Sequence, residues 1–353
     1  MRLVPLLILF FSFWLSGCDQ LFFEPEPKDS PVENFRVLWN TFNERYAPFK
    51  QRGVDWQEIY ETFQPRVDEN TQPRRLFLLF VEMLAKLDDG HVTLIAPNEE
   101  VWNANRILRL KIDDELFDLD LIVRQYLEAE TVLRAEAFTC GVIFRTTQNL
   151  NISIGYIHIQ HFQGDLPKVI DDILERLQSS EVIGIILDVR HNFGGDFRNG
   201  LFVASRFTDR KKLAFTSKAK NGPGPDDFAS PVKWYIEPGG DRQFTKPVIA
   251  LTDRYTISAA ERTVMALKEL PHVQIIGDST SGSLGEKIGK ELPNGWFFTY
   301  TPQIVFAASG ESYEGKGIPP NTFMTNTKKD AGISDRILNQ AIFEMLRLLA
   351  GTK

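Results

Sequence analysis

Ser258 stands in "YTISAAER", between an apolar run, "PVIALTD", that reads as a buried strand and a segment, "AAERTVMALKEL", that reads as a helix. A hydroxyl at that junction has two uses. Ser is a favoured helix N-cap, and Glu261 three positions on completes the capping-box pattern. The same position also suits a nucleophile, because the first N–H groups of a helix are unpaired and form its positive end. On the octapeptide alone the cap is the plainer reading. A serine nucleophile needs a base near neutral pH, and the chain has five histidines. His91 follows "DDG" in a turn, where its side chain can project into a cleft. His158 falls on one face of a probable strand, His161 near that strand's end and His272 beside a Pro. These three read as solvated or structural. His191, in "DVRHNFGG", leaves a strand tip beside two glycines and competes with His91. By themselves "FGGD" reads as a tight turn and Glu314, in "SYEGKGI", as a solvated side chain. No cluster of His, Cys and carboxylates has metal-ligand spacing, so neither a metal nor an organic cofactor is implied.

These residues need a scaffold, and 353 residues exceed what one hydrophobic core usually supports. The composition, 43% apolar and 25% charged, is that of a globular protein. A net charge of -7 with no Lys/Arg-rich block disfavours nucleic acid as a partner. The opening "MRLVPLLILFFSFWLSGCDQ" has a basic residue, a short apolar run and then small residues, the layout of a secretory signal. Its ending, "LSGC", resembles the bacterial lipobox, which makes Cys18 the lipidated first residue of the mature chain. Residues 1–18 are then signal, and 19–34, acidic and Pro-rich, a tether. Asp19 resembles an inner-membrane retention signal, which favours a periplasm-facing anchor. Cys140 lies in a strand-like run and reads as a buried, inert thiol.

From Phe35 to about residue 90 the pattern is helical. Phe35, Leu38, Trp39, Phe42 and Tyr46 recur at three and four, Asp55 is placed to cap a second helix, and "TQPRRLFLLFVEMLAKL" predicts a third. A small N-terminal bundle follows. Beyond it, "HVTLIAP", "CGVIFRT", "IGYIHIQHF", "VIGIILDVR", "PVIALT" and "VQIIGD" read as strands, several leading into helical stretches. That alternation predicts an α/β core with largely parallel pairing over 91–350. Residues 98–150 are the least regular; "DDELFDLDLIVRQYLEAE" reads as strand, then helix. "GISDRILNQAIFEMLRLLAG" predicts a C-terminal helix stopping before Gly351.

Four separated stretches together resemble the S41 serine peptidases, which include C-terminal processing proteases and the tricorn core. "LAKLDDGHVTL" is similar to the family's L-x-D-G-H turn and "GIILDVRHNFGGDF" to its D-x-R-x-N-x-G-G motif. "IALTDRYTISAAE" is similar to the nucleophile segment, and "IIGDSTSGSLG" with "YEGKGIPPN" to the closing motifs. The resemblance implies a ClpP/crotonase-like α/β core with a small N-terminal helical bundle, and a serine-type peptidase. It makes Ser258 the nucleophile, His91 the base in preference to His191, and Glu314 the group that orients His91. Oxyanion donors would be the amides of Gly194 or Gly195 and of Ala259. The implied partner is a peptide or protein substrate, with the membrane reached through the lipid; the oligomeric state stays open.

Two departures matter. Many bacterial members pair serine with a lysine, at a position that Ser283 occupies here; Lys287 and Lys290 follow closely, so a Ser–Lys version using Lys287 is a further reading. No carboxylate-binding loop of a PDZ module is recognisable, which puts tail-specific recognition in doubt. A non-catalytic binding module on the same fold is the alternative from another class.

Overall fold

The computed structural model describes residues 28–146, 150–240 and 242–351. Cys18 and the expected signal lie outside the described residues. The first helix begins at Pro31, inside the stretch expected as tether, because Ser30 caps it by accepting from Glu33 N–H at 3.3 Å and Pro31 suits the first turn. Asp55 caps Trp56–Phe63 as its position predicts, accepting from the amides of Gln57 and Glu58, and Pro73–Leu84 forms the third long helix.

These helices do not close a core alone. Their apolar faces, with Leu38, Phe42, Phe80 and Met83 fully buried, share one cluster with Val92, Leu94, Leu292, Trp296, Phe298 and Tyr300. Phe42 stacks on Phe298 with ring centres 5.7 Å apart. The added residues come from an antiparallel sheet of Ile288–Glu291, Phe297–Tyr300, Thr93–Ile95 and Trp102–Asn103.

The central sheet runs in space Thr322–Phe323, Val273–Gly277, Val248–Thr252, Ile185–Asp188, Asn151–Ile159, Phe138–Thr146, Leu133–Ala135. Its first five strands pair in parallel and the last two antiparallel, as the strand-helix alternation predicts. Side chains alternate with the strand period of two. Ile157, Ile185, Leu187 and Ala250 pack toward the helices Leu166–Ser179, Phe197–Ala204 and Ala259–Lys268. Tyr156, Ile186, Ile249 and Leu251 pack toward Leu119–Gln125 and the C-terminal helix. This is the mixed α/β class with helices on both faces.

Three local expectations change. Asp114–Leu116 is a 3-10 turn rather than a strand, and Asp118 caps the helix Leu119–Gln125 through Leu121 N–H at 2.8 Å. The C-terminal helix, Arg336–Gly351, includes Gly351 instead of stopping before it. An antiparallel sheet of Gln303–Ala307, Lys212–Ala219 and Val232–Ile236 had no counterpart in the sequence reading.

Candidate active site

Val248–Thr252 and Ile185–Asp188 are parallel neighbours, so the loops at their carboxyl ends lie side by side, where ligand sites of such sheets form. One loop carries Ser258 and the other Gly194 and Gly195. The Ser258 loop is fixed by its own polar groups. Asp253 Oδ1 accepts from Tyr255 N–H at 3.0 Å, and Thr256 Oγ1 donates to Val189 O at 2.8 Å. Ile257 N–H donates to Asn192 O at 3.1 Å, which ties the two loops together.

Ser258 precedes the helix Ala259–Lys268 with φ 65° and ψ −122°, a region costly for any residue with a Cβ. The capping box expected there is also present, with Ser258 N–H donating to Glu261 Oε2 at 3.1 Å. The side chain is half-buried and lines a cleft of about 590 Å³. His91, Gly195, Ala259, Arg262 and Lys287 line the same cleft. Gly194 packs directly on the serine: a Cβ there would lie 2.6 Å from Ser258 Cβ, at φ 83°, so only glycine permits the approach.

The two glycines are not equivalent. Gly194 N–H donates to Asn192 Oδ1 at 2.9 Å and is thereby committed. The amides of Gly195 and Ala259 have no intramolecular acceptor among the described residues. Gly195 sits at φ 137°, where a Cβ would meet Phe162 C at 2.7 Å. Two free N–H groups beside a serine can stabilise an oxyanion. Of the pair the sequence left open, Gly195 keeps the free donor.

His91 is buried, and its Nδ1 lies 3.3 Å from Thr301 Oγ1. With Nδ1–H donating to that hydroxyl, Nε2 carries the lone pair a base needs. Burial lowers the imidazole to about 4; Asp89 opposes this, while Lys287, Arg262 and Arg52 reinforce it. The ring is therefore neutral at ordinary pH. Its backbone N–H donates to Asp89 Oδ1 at 2.9 Å, and Asp89 also accepts from Tyr46 Oη and Ser283 Oγ, each at 2.9 Å.

Glu314 does not touch the imidazole. One carboxylate oxygen takes Arg52 Nη2 at 2.5 Å and the other Leu284 N–H at 3.0 Å. Arg52 Nη2 lies 3.4 Å from Asp89 Oδ1, so the link from Glu314 to His91 runs through two other residues. Burial raises Glu314 to about 7 against the pull of Arg52. The orienting contact expected of it is made by Thr301.

His191, the rival base, faces elsewhere. It is stacked between Phe117 and Tyr255, with Nδ1 2.6 Å from Asp253 Oδ2. It lines a separate cavity of about 90 Å³ with Arg190 and Arg254. Cys140 is buried and its thiol raised to about 11 by that burial, an inert group. Among the described residues no three His, Cys or carboxylate side chains group as metal ligands.

Sequence reasoning missed four supports. Glu261, noted only as a cap, also accepts from Thr280 Oγ1, Gly282 N and Ser283 N at 2.6, 2.7 and 2.9 Å. Asp89 had a signal in "DDGH", whereas Arg52 and Thr301 had none.

Residues 153–323 match the model of peptidase family S41, and residues 27–85 match the tricorn protease C1 domain. The S41 match covers the segments that hold Gly195, Ser258 and Glu314 and agrees with the resemblance that the four stretches suggest. A segment of 168 residues is 31% identical to the carboxy-terminal processing protease CtpA of Bacillus subtilis, covering 48% of this chain and 34% of that one. CtpB of the same organism is 25% identical over 168 residues, 48% and 33% of the two chains. The chain thus spans about a third of these curated relatives. A crystal structure from Parabacteroides merdae, provisionally assigned as a peptidase, superposes with a TM-score of 0.79 at 28% identity, covering 90% of this chain and 98% of that one. Mature CPAF shares the fold, with a TM-score of 0.70 at 12% identity, covering 90% of this chain and 98% of that one.

Proposed function

We propose that the chain is a serine peptidase that hydrolyses peptide bonds through Ser258 and His91. The observation that carries this is a strained serine at a helix start, sharing one cleft with a neutral imidazole and two unpaired amides. His91 Nε2 takes the Ser258 proton as Oγ attacks the substrate carbonyl, and the amides of Gly195 and Ala259 hold the oxyanion. The imidazolium then protonates the leaving amine, and water, deprotonated by the same nitrogen, releases the acyl group. Glu314 acts at a distance, holding Arg52 and through it Asp89, the carboxylate that fixes the His91 backbone. It is a positioning residue.

Lys287 supports a second reading, since it lines the cleft and burial lowers its ammonium. Labelling by a fluorophosphonate, with peptide hydrolysis, separates these readings from a binding module. Labelling and turnover should vanish in Ser258→Ala and His91→Ala and persist in Lys287→Ala. Unchanged turnover in Ser258→Ala overturns the assignment; loss in Lys287→Ala with turnover kept in His91→Ala moves the base to lysine.

The remaining parts of the reading concern place. Cys18 is proposed as the lipid anchor on the periplasmic side, with Asp19 favouring the inner membrane. Fatty-acid labelling lost in Cys18→Ser, together with membrane fractionation, tests both.

A further inference from the structure

The hydrolytic groups leave one fully buried charged side chain of the cleft, Arg262, without a task. Arg262 follows Ser258 by four positions, just over one turn on and about 6 Å farther along the helix axis. It is only 2% exposed. Nε donates to Leu284 O at 2.7 Å and Nη2 to Gln303 Oε1 at 2.9 Å. The guanidinium lies over the Phe197 and Phe215 rings, 4.5 and 5.6 Å from their centres, and Phe197 also lines the cleft. Its plane is thereby held on three sides. Nη1 is buried and has no hydrogen-bond partner among the described residues. The Glu286 carboxylate stands 4.0 Å away, beyond hydrogen-bond reach, on a side chain that is 47% exposed.

A buried guanidinium with an unmade hydrogen bond is costly unless something completes it. Burial lowers Arg262 only to about 10, so it is charged at neutral pH. No carboxylate within hydrogen-bond reach pairs with its Nη1 among the described residues. Of the side chains lining the cleft, Asp196 and Arg198 pair at 2.7 Å, which leaves Arg262 and Lys287 beside Glu286, with the buried Glu314, Glu261 and Asp89 carboxylates behind them.

We infer that Arg262 determines substrate choice by taking the carboxylate of an Asp or Glu side chain next to the scissile bond. Glu286 holds the entrance in the free protein and swings into solvent as the substrate carboxylate meets Nη1. A guanidinium with one edge already fixed gives directed hydrogen bonds to a carboxylate and rejects the neutral amide of the same shape. The inference rests on the reading of Ser258 as nucleophile.

The test uses the full chain and matched peptides, acetylated and amidated at their ends so that side chains supply the only carboxylates. Members of a pair differ by Glu against Gln at one position flanking the cut. The wild type should favour Glu by at least about tenfold in kcat/KM, and Arg262→Met should remove the preference while still reacting with a fluorophosphonate. Equal rates for Glu and Gln in a wild type that is labelled at Ser258 overturn the role of Arg262 alone. A preference that survives in a labelled Arg262→Met does the same. No labelling of the wild type overturns the nucleophile and this inference with it. Should Arg262→Met fail to fold, the wild-type pair decides.

Discussion

At the scale of single residues, Ser258 combines strain and use. Its φ of 65° with ψ −122° is held by neighbours on both sides: Gly194 packs on its Cβ and Glu261 takes its N–H. Glycine would occupy that backbone without strain. Ser258→Gly should therefore be inactive yet more stable by about 1 kcal/mol, strain relief exceeding the added entropy of the unfolded chain. Thermal unfolding read beside activity checks it; a loss of stability would mean the backbone is not strained. His91 sets the pH dependence. A base lowered to about 4 is neutral above that pH, so the acid limb of kcat/KM should fall near pH 4 and not near 6.5. The same shift acts on stability. Between about 6.5 and 4 the unfolded chain binds a proton that the buried ring does not, so this contribution is lost as pH falls. His91→Gln should flatten that window in urea titrations. Both residues were legible in the sequence because each sits in a short contiguous pattern. Thr301 was not, since its contact with the imidazole depends on a chain separation of 210 residues.

At the scale of elements, the loops of the candidate site are joined by one buried carboxylate. Glu261 takes hydrogen bonds from Ser258 at its own helix start and from Thr280, Gly282 and Ser283 in another loop. That second loop reaches the histidine segment, for Ser283 Oγ donates to Asp89 and accepts from Gly90 N–H at 3.0 Å. In Glu261→Gln at least one amide donor would face an amide NH2. The variant should lose about 3 kcal/mol of stability and much of its activity, whereas a simple helix cap would lose about 1. Urea unfolding separates the two. Gly194→Ala should be more selective, abolishing turnover by displacing Ser258 while leaving most of the fold intact, which circular dichroism would show. Five strands of the central sheet were readable as short apolar runs, such as Val248–Thr252, buried on both faces; the short, part-exposed edge strands Leu133–Ala135 and Thr322–Phe323 were not. The sheet of Lys212–Ala219, Val232–Ile236 and Gln303–Ala307 was not. Its strands are only partly buried, Val232–Ile236 at Ile236 alone, and Gln303–Ala307 pairs with Lys212–Ala219 across more than 80 residues. Neither feature marks a short window.

At the scale of the whole molecule, the N-terminal helices and the peptidase core are not separable units. The sequence suggests a bundle ending near residue 90, because helical and strand-like textures change there. Burial shows a different division. Phe42, Leu38 and Phe80 share their core with Phe298 and Tyr300, more than 200 positions on. Polar ties follow the same path: Tyr46 donates to Asp89, and Arg52 reaches Gly282 O at 2.6 Å and Glu314. The helical region thus supports the cleft, supplying the Arg52 guanidinium and the Tyr46 hydroxyl to the carboxylates behind His91. Two consequences are measurable. Phe298→Ala removes the ring on which Phe42 stacks and should cost about 3–5 kcal/mol. Because that ring belongs to both parts, the loss should shift one cooperative transition, with fluorescence and circular dichroism coinciding, rather than release the helices first. A fragment of residues 91–351 would expose Phe298, Tyr300 and Trp296 and leave Glu314 buried without Arg52. It should neither fold nor react with a fluorophosphonate, and a folded, reactive fragment would show that the helices are an accessory to the peptidase core, not part of it.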